Sequence, residues 1–262
     1  MQTFLTDKNT YITPRKKPGP LIRLFTNIIF YPQAIYIVLS SAFLAKRGKY
    51  TDEKWVKKSL GVVRALERAG VRFKIENIDV IRNLDAPCVF IANHMSTLET
   101  FVIPGLIQSF QDVTFVVQEG LMVYPVFKHV MISRNPIPVS RKNPRQDLKA
   151  VLEGGMERLK NDISLVIFPQ STRTLHFDPK KFNSIGIKLA KKAQVPVVPI
   201  ALKTDAWKLG KIHRDFGKID PRKKAHIYFG NPLEIEGNGK KEQQYIIRFI
   251  SDKLSAWSED EQ

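Results

Sequence analysis

The distribution of hydrophobic and polar residues changes near residue 51. Before it, residues 24–45 form a run without a charged side chain, which at about 1.5 Å per residue could reach across a hydrocarbon core of about 30 Å. Pro32 interrupts that run, and proline lacks the N–H that an α-helix needs in its interior. We therefore predict two short helices, over residues 20–31 and 33–46, that lie embedded in one leaflet of a membrane. An amphipathic helical pair packed on the protein's own core is the alternative.

From residue 51 onwards, short apolar runs alternate with amphipathic segments. The strand-sized runs are residues 71–75, 88–92, 114–117, 137–139, 165–168, 195–201 and 225–229. The helix-like segments are residues 55–66, 97–110, 121–131, 145–160, 182–192 and 243–257. This order predicts an α/β domain with a largely parallel central sheet flanked by helices. Because no linker or repeat interrupts this order, we assign residues 1–50 to a membrane-anchoring element and residues 51–262 to a single domain large enough for an enzyme.

The net charge of the chain limits the classes of partner that the protein is expected to bind. The 262 residues contain 42 Lys and Arg against 25 Asp and Glu, a net charge of +17, which indicates nucleic acid, a phospholipid surface or a phosphorylated substrate. Hydrophobic residues at 43% and charged residues at 26% exclude a disordered chain and a multi-span transporter. Eight basic side chains against Asp7 flank the apolar run in the first 50 residues. They favour adhesion to anionic lipid, and the absence of a cysteine pair favours the cytoplasmic face of the inner membrane.

A second basic stretch covers residues 203–224 and contains Trp207 and Phe216. Aromatic residues among cations are typical of nucleic-acid surfaces, of membrane-facing loops, and of docking sites for phosphorylated or acidic partners. Because the N-terminal run already indicates a bilayer and the sequence contains no recognised nucleic-acid module, we rank docking to a membrane or to a phosphorylated or acidic partner first and expect no nucleic-acid partner.

Candidate acid-base chemistry lies where a predicted strand ends. The strand over residues 88–92 leads into Asn93, His94 and Ser96, and Glu99 follows within about one helical turn. In an α/β sheet, ligands bind where strands end and loops begin. A carboxylate at this spacing can hydrogen-bond one imidazole nitrogen, which leaves the other to remove a proton. His94 and Glu99 are the candidate base and orienting acid, against the alternative of a structural histidine with an acid nearby.

Two further strand ends carry arginine. Arg141 follows the strand over residues 137–139, and the loop after residues 165–168 contains Gln170, Ser171, Thr172 and Arg173. Backbone amides, hydroxyl groups and a guanidinium suit the geometry of phosphate. Either arginine alone could be an ordinary surface charge. A histidine and two arginines at three strand ends together favour a shared site.

Together these segments resemble the four ordered blocks of the 1-acylglycerol-3-phosphate acyltransferase family. The blocks are Asn93-His94-x-Ser96-x-x-Glu99, then Arg141, then residues 168–173, then Val-Pro-Val-Val-Pro-Ile at residues 195–200. The resemblance implies a glycerol-3-phosphate acyltransferase-like fold and acyl transfer from coenzyme A or acyl carrier protein to a lysophospholipid hydroxyl. With it, the phosphates of coenzyme A or an acidic acyl carrier protein become the expected partners, beside the membrane, of the basic stretch over residues 203–224. It implies that His94 deprotonates the acceptor and Glu99 orients His94. Substrate binding would fall to Asn93, Ser96, Arg141, Gln170, Ser171, Thr172 and Arg173.

The chain departs from the family's usual sequence at three positions. Glu99 stands where the acid is usually Asp, and Gln170 and Ser171 replace the Glu and Gly of the usual Phe-Pro-Glu-Gly-Thr-Arg block. The change at residue 170 removes a carboxylate near the acceptor, and the change at residue 171 adds a Cβ where close approach is often wanted. The acceptor could therefore be a related anionic lysolipid rather than lysophosphatidic acid.

The expected chemistry requires no metal or other cofactor. A thioester is already activated, so a base, an oxyanion donor and positioning suffice. Cys88 lies inside an apolar run and is predicted to be a buried structural thiol, and the sequence has no G-x-S-x-G motif and no metal-ligand spacing. The competing hypotheses are a non-catalytic membrane lipid-binding protein and, third, a nucleic-acid-binding protein.

Overall fold

An eight-stranded mixed β-sheet forms the centre of the protein in the computed structural model, which describes residues 8–14, 19–170, 172–210 and 213–259. The strands are β1 Thr10–Ile12, β2 Arg72–Glu76, β3 Val89–Ala92, β4 Val113–Gln118, β5 Ile137–Val139, β6 Ser164–Ile167, β7 Val197–Lys203 and β8 Lys224–Phe229. Their spatial order is β1-β2-β8-β7-β3-β6-β4-β5. Within the described ranges, five of the seven neighbouring pairs are parallel. The predicted α/β fold with a largely parallel central sheet is confirmed.

Helices cover both faces of the sheet. They are α1 Pro20–Lys46, α2 Asp52–Arg68, α3 Asp79–Arg82, α4 Thr97–Ile107, α5 Gly120–Val123, α6 Lys128–Ser133, α7 Pro144–Lys160, α8 Ile185–Ala193 and α9 Lys240–Glu259. α1, α2 and α4 enclose one hydrophobic core against the sheet, and α7, α8 and α9 enclose the other. α2 and α7 begin at residues whose side chains cap a helix. The hydroxyl of Thr51 accepts a hydrogen bond from the N–H of Lys54, and the carboxamide of Asn143 accepts one from the N–H of Gln146.

The predicted N-terminal pair of helices is wrong, because α1 continues through Pro32 as one helix of 27 residues. Packing explains the continuity: Phe30 and Ala34, on either side of the proline, are buried in the core shared with α2 and α4. The carboxamide of Gln33 also donates to the carbonyl of Ile29, one turn back, and is itself held by Arg68 at 2.7 Å. These contacts hold the turn around Pro32 in a helical conformation. The division of the chain at residue 50 stays a prediction.

The predicted helix over residues 121–131 is also wrong. The segment forms two short helices, α5 and α6, because Tyr124 takes an extended conformation before Pro125, as residues that precede proline usually do. β1 and α3 were not predicted, since three or four residues are too short to show a period. Some residues that the sequence analysis used lie outside the described ranges. They are Asp7, Ser171, three of the eight basic side chains in the first 50 residues (Arg15, Lys16 and Lys17), and Lys211 of the basic stretch over residues 203–224.

The strand order brings three strand ends together. β3 is the central member, with β7 on one side and β6 on the other, and both pairings are parallel and in close register. Their carboxyl ends therefore meet at one edge of the sheet, with neighbouring strands about 4.8 Å apart. His94 follows β3, Gln170 follows β6 and Thr204 follows β7. All seven residues of β7 are buried, which confirms that the segment containing residues 195–200 supplies a buried strand beside the site.

Candidate active site

The first turn of α4 positions the candidate acid. Ser96 is the N-cap residue of α4: its hydroxyl accepts from the N–H of Leu98, and its own N–H donates to the carboxylate of Glu99 at 2.7 Å. This reciprocal arrangement is a capping box, in which a Glu at the third helical position reaches back to the N-cap. Glu99 is one methylene longer than the Asp that the family usually has here, and this longer side chain forms the capping box at the start of α4.

Glu99 is fully buried and accepts five hydrogen bonds. Its Oε1 accepts from Nδ1 of His94 at 3.1 Å and from the main-chain N–H groups of Met95 and Ser96 at 2.6 and 2.7 Å. Its Oε2 accepts from the hydroxyls of Ser96 at 2.9 Å and Thr204 at 2.6 Å. Burial acts to raise the pKa of Glu99, but the hydrogen bond and charge of His94, with bonds from Thr204 and Ser96, outweigh it and lower that pKa. Glu99 is therefore a carboxylate at neutral pH.

This carboxylate determines the state of His94. Because an ionised carboxylate only accepts hydrogen bonds, Nδ1 of His94 carries the proton toward Glu99, and the lone pair lies on Nε2. The imidazole stacks on the ring of Phe168, with centroids 4.3 Å apart, and only 9% of the residue is exposed. The imidazole of His94 is thus held by one hydrogen bond and one ring contact, and in the neutral form of the ring Nε2 can accept a proton.

Asn93 and Gln170 hold the loop that carries His94. The carboxamide of Asn93 exchanges two hydrogen bonds of 2.8 Å with the main chain of Leu202 in β7. The Oε1 of Gln170 accepts from the main-chain N–H of His94 at 2.8 Å, and its Nε2 donates to the hydroxyl of Thr174 at the same distance. Both side chains are buried. Their polar atoms bond to neighbouring protein groups, so they stabilise the loop from inside.

Arg173 lies at the entrance to this network. Its Nη1 donates to the hydroxyl of Thr97 in the first turn of α4 and to the carboxylate of Asp215 at 2.6 Å. The side chain of Asp215 is 60% exposed, whereas that of Arg173 is 18% exposed. The carbonyl of Arg173 accepts from the guanidinium of Arg214 at 2.6 Å. The guanidinium is therefore anchored beside α4, and its present acidic partner is one that a bound anion could displace.

Arg141 lies close enough to Arg173 for the two charges to interact. Asp147 accepts from the main-chain N–H groups of Ser140 and Arg141, both at 2.8 Å, and so holds the turn after β5. Desolvation, followed by the charge of Arg173, lowers the pKa of Arg141 from its ordinary value, and Asp147 opposes that shift. Two guanidinium groups close enough to interact form a suitable environment for phosphate. The structure thus brings together the two arginines that sequence patterns could only place on separate strand ends.

The remaining candidates differ in position. Thr172 is exposed beside Arg173, and Ser171 lies outside the described residues. Cys88 is fully buried, as predicted, and burial raises the pKa of its thiol to about 12, so this thiol is not a thiolate nucleophile at neutral pH.

Three contributors to the site had not been singled out for it in the sequence. Thr204 follows β7, and Phe168 follows β6, so the strand-end argument that identified His94 could also have identified them. Asp215 lies in the loop between β7 and β8, within the basic stretch, and no sequence pattern indicates its contact with Arg173.

Comparison with known proteins finds similarity to acyltransferases. The family model described as Acyltransferase matches residues 72–203. A 1-acyl-sn-glycerol-3-phosphate acyltransferase from Pseudomonas aeruginosa is 31% identical over 211 residues, which cover 80% of this chain and 76% of that protein. A chloroplastic protein of the same description from Brassica napus is 32% identical over 128 residues, covering 49% of this chain and 36% of that protein. The crystal structure of the 1-acyl-sn-glycerophosphate acyltransferase of Thermotoga maritima has the same fold, with a TM-score of 0.66, 22% identity, and coverage of 91% of this chain and 97% of that chain.

Proposed function

The chain belongs to the acyltransferase family, and from that premise we propose that it transfers a fatty acyl chain from a thioester to the free hydroxyl of 1-acylglycerol-3-phosphate in phospholipid synthesis. The observation that carries the proposal is the His94–Glu99 pair beside two arginines whose charges interact. A base next to a phosphate site is what this reaction needs. Membership of an enzyme family favours catalysis over the lipid-binding and nucleic-acid-binding hypotheses.

In the proposed reaction, Nε2 of His94 removes the proton from the acceptor hydroxyl. The hydroxyl oxygen attacks the thioester carbonyl carbon, so a C–O bond forms and the C–S bond breaks. The proton then passes from His94 to the departing thiolate. Glu99 offsets the positive charge of the imidazolium while it exists, and it holds the ring in the required tautomer. The thioester is already activated, so the chemistry needs no metal or other cofactor.

We assign the acceptor phosphate to Arg141 and Arg173, with Thr172 and Ser171 as neighbouring donors. A phosphate that bridges the two guanidinium groups would replace Asp215 as the partner of Arg173. Asn93, Ser96 and Gln170 are better assigned to positioning than to substrate contact, because their side chains already bond to Leu202, Glu99 and the His94 main chain. The donor is an acyl thioester of coenzyme A or acyl carrier protein.

Substitution of Arg173 tests the acceptor assignment. For Arg173→Ala we expect a KM for lysophosphatidate about 10- to 100-fold higher, with a smaller change in kcat, because the variant loses a charged hydrogen bond made in ground and transition states alike. The measurement is transfer of labelled acyl chains to lysophosphatidate, to other anionic lysolipids and to uncharged monoacylglycerol.

The monoacylglycerol arm is the internal control, since an acceptor without phosphate should respond little to this substitution. Arg145→Ala removes an exposed arginine from α7. It should change neither the KM for lysophosphatidate nor the KM for monoacylglycerol. An equal rise in KM for charged and uncharged acceptors would contradict the assignment. A loss confined to kcat would move Arg173 from the acceptor phosphate to the developing oxyanion.

We further propose that α1 lies in the membrane surface. α1 is long and apolar enough to cross a bilayer, but one of its faces is held by the domain: Phe30 is buried, and Asn27 and Tyr31 bond to the loop at Gly217 and Ile219. The other face carries exposed apolar residues at helical spacing, namely Leu21, Leu24, Phe25, Ile28, Ile35, Tyr36, Leu39 and Phe43. A helix with one face packed and the other exposed and apolar is suited to embed in one leaflet. The cytoplasmic face of the inner membrane is the proposed location.

Polar substitutions on the exposed face test this placement. For the double variant Leu24→Ser/Ile28→Ser we expect at least about tenfold weaker binding to phosphatidylglycerol vesicles, because each side chain loses on the order of 1 kcal/mol or more of apolar burial in lipid. Co-flotation with vesicles measures it. Tyr245→Ser removes an exposed apolar side chain from α9, outside the proposed membrane surface, and is the control. Unchanged flotation of the double variant would contradict a membrane-embedded α1.

A further inference from the structure

A groove runs between the second half of α1 and the segment that contains α5 and α6. It has a volume of about 380 Å³, and the residues that line it include Leu39, Ala42, Phe43 and Lys46 of α1 and, opposite them, Val126 and Lys128. Leu39, Phe43 and Lys46 are spaced three or four residues apart, so they lie on one face of the helix. The groove therefore places apolar surface beside positive charge.

The basic side chains of the groove have no acidic partner. Within the ranges that the structure describes, neither Lys46 nor Lys128 forms an ion pair. Arg47 adds a third positive charge beside the groove, because its guanidinium lies over the ring of Phe43, 4.0 Å from the centroid. Unpaired cations next to apolar surface are suited to the phosphate and hydrocarbon of an anionic lipid.

The segment opposite α1 exposes apolar side chains. α5 and α6 contain no buried residue, although six of their ten residues are Leu, Met, Val or Ile. Val123 is 75% exposed, and Tyr124 and Ile132 are exposed as well. An exposed patch of this kind marks a contact with lipid or with another protein.

Two observations favour lipid over a protein as the occupant of the groove. Leu39 and Phe43 belong to the exposed face of α1 that we place in one leaflet, and they also line the groove. A lipid of that leaflet therefore reaches the groove without leaving the membrane surface. A second copy of this chain carries a net charge of +17, which opposes its approach to Lys46, Arg47 and Lys128.

The segment that contains α5 and α6 also connects two strands next to the candidate active site. β4 leads into α5, and β5 follows α6. The main-chain N–H of Glu119, between β4 and α5, donates to the carbonyl of Val139 at the end of β5, at 2.9 Å. Arg141 follows shortly after Val139, so α5 begins at the edge of the sheet that carries the candidate phosphate site.

We propose that this groove binds an anionic phospholipid of the bilayer, an inference that rests on the membrane-embedded α1 proposed above. The lipid phosphate contacts Lys46 and Lys128, since phosphate oxygens accept charge-assisted hydrogen bonds from ammonium groups. A hydrocarbon chain lies along Leu39, Phe43 and Val126 and removes their apolar surface from water. This lipid is a structural ligand rather than a substrate: it holds α5, and with it the sheet edge near Arg141, at the leaflet that supplies the acceptor.

The test measures the preference of the full chain for phosphatidylglycerol. Co-flotation gives dissociation constants for vesicles of phosphatidylcholine and for vesicles of an equimolar mixture with phosphatidylglycerol, and their ratio is the preference. For Lys46→Gln/Lys128→Gln we expect the ratio to fall at least about tenfold, because two lysines are lost from an anionic surface. Ala42→Phe keeps every charge but fills the groove, so the ratio should fall at least about threefold.

The control of equal charge is Lys188→Gln/Lys192→Gln. It removes two exposed lysines from α8, which covers the face of the sheet opposite α1. The ratio should stay within about twofold, because charges far from the lipid surface are screened.

Three results would overturn the groove as a lipid site. They are an unchanged ratio in either groove variant, an equal fall of the ratio in the α8 control, and loss of a dimer in sedimentation without vesicles while the ratio stays unchanged. The last would identify a second copy of the chain as the occupant.

Failure of the proposed function gives different results. If α1 were not embedded, Leu24→Ser/Ile28→Ser would float like the wild type, whereas the groove variants would still lose their preference for phosphatidylglycerol. If the protein transferred no acyl chain, flotation would still report on the groove, because it requires no turnover.

Discussion

His94→Ala should reduce the rate of acyl transfer by at least about 10³-fold while the protein stays folded. A positioned general base contributes on the order of 10² to 10⁴ to the rate, and the variant also loses the imidazolium that Glu99 is arranged to stabilise. The measurement is single-turnover transfer of a labelled acyl chain to lysophosphatidate. Circular dichroism and thermal unfolding establish that the fold remains, which we expect because His94 packs chiefly against one ring, that of Phe168.

His176→Ala is the matched control for that experiment. His176 is exposed and lies in the loop that also contains Arg173, and only its main-chain carbonyl takes part in the network, by accepting from Thr174. Its substitution should leave the rate within about twofold. Near-full activity of His94→Ala would contradict the assignment of the base, and equal losses in both histidine variants would indicate damage to the loop rather than to chemistry.

Glu99→Gln should affect both catalysis and stability. The amide cannot offset the charge of the imidazolium, so we expect the rate of acyl transfer to fall by about 10²- to 10³-fold. It also replaces one accepting oxygen with a donor among five hydrogen-bond donors. A buried donor left without an acceptor costs about 2 kcal/mol of the free energy of unfolding. Denaturant unfolding and single-turnover kinetics measure the two effects separately.

Glu99→Asp distinguishes the two roles of the carboxylate. Aspartate keeps the charge but is one methylene shorter, so it should retain more activity than Glu99→Gln while it weakens the capping box with Ser96. If the charge were irrelevant to catalysis, the glutamine variant would be at least as active as the aspartate variant. That result would contradict the proposed role of Glu99.

The pH dependence of stability gives a further readout of Glu99→Gln. Because the pKa of Glu99 in the folded protein lies below its ordinary value of 4.5, the carboxylate contributes stability that is fully present above that value and is lost as the pH falls through the folded pKa. The gap in free energy of unfolding between wild type and Glu99→Gln should therefore be largest near neutral pH and should narrow below about pH 4.5. A constant gap across that range would contradict the assignment.

The strands around the site could be predicted from sequence because they are buried. β3, β6 and β7 are continuous apolar runs, which is typical of parallel strands covered on both faces. A strand end is a local feature, so the location of His94 at the end of β3 followed directly. α1 was harder, since the effect of Pro32 on a helix depends on whether neighbouring elements hold it. Burial of Phe30 and Ala34 does so here, and no local pattern encodes that contact.

The roles of the polar residues depended on contacts distant in sequence. Gln170 was expected near the acceptor, yet its carboxamide bonds to the main chain of His94, 76 residues away. Thr204 reaches Glu99 across 105 residues, and Asn93 reaches Leu202 across 109. These contacts follow from the order of the strands in the sheet, and each residue type is chemically able to bind substrate or to support a loop. Residue chemistry alone therefore could not distinguish the two uses.

The sequence by itself determined the fold class and the family, and it identified His94 and Glu99 as the candidate base and acid, because apolar runs, helix starts and the spacing of these two residues are local properties of the chain. Only the tertiary structure decided which charges meet. It brought Arg141 toward Arg173, paired Arg173 with Asp215, and placed Lys46 and Lys128 along one groove. The physical reason is that electrostatic energy depends on distance through space, and that distance is set by strand order and register rather than by separation along the chain.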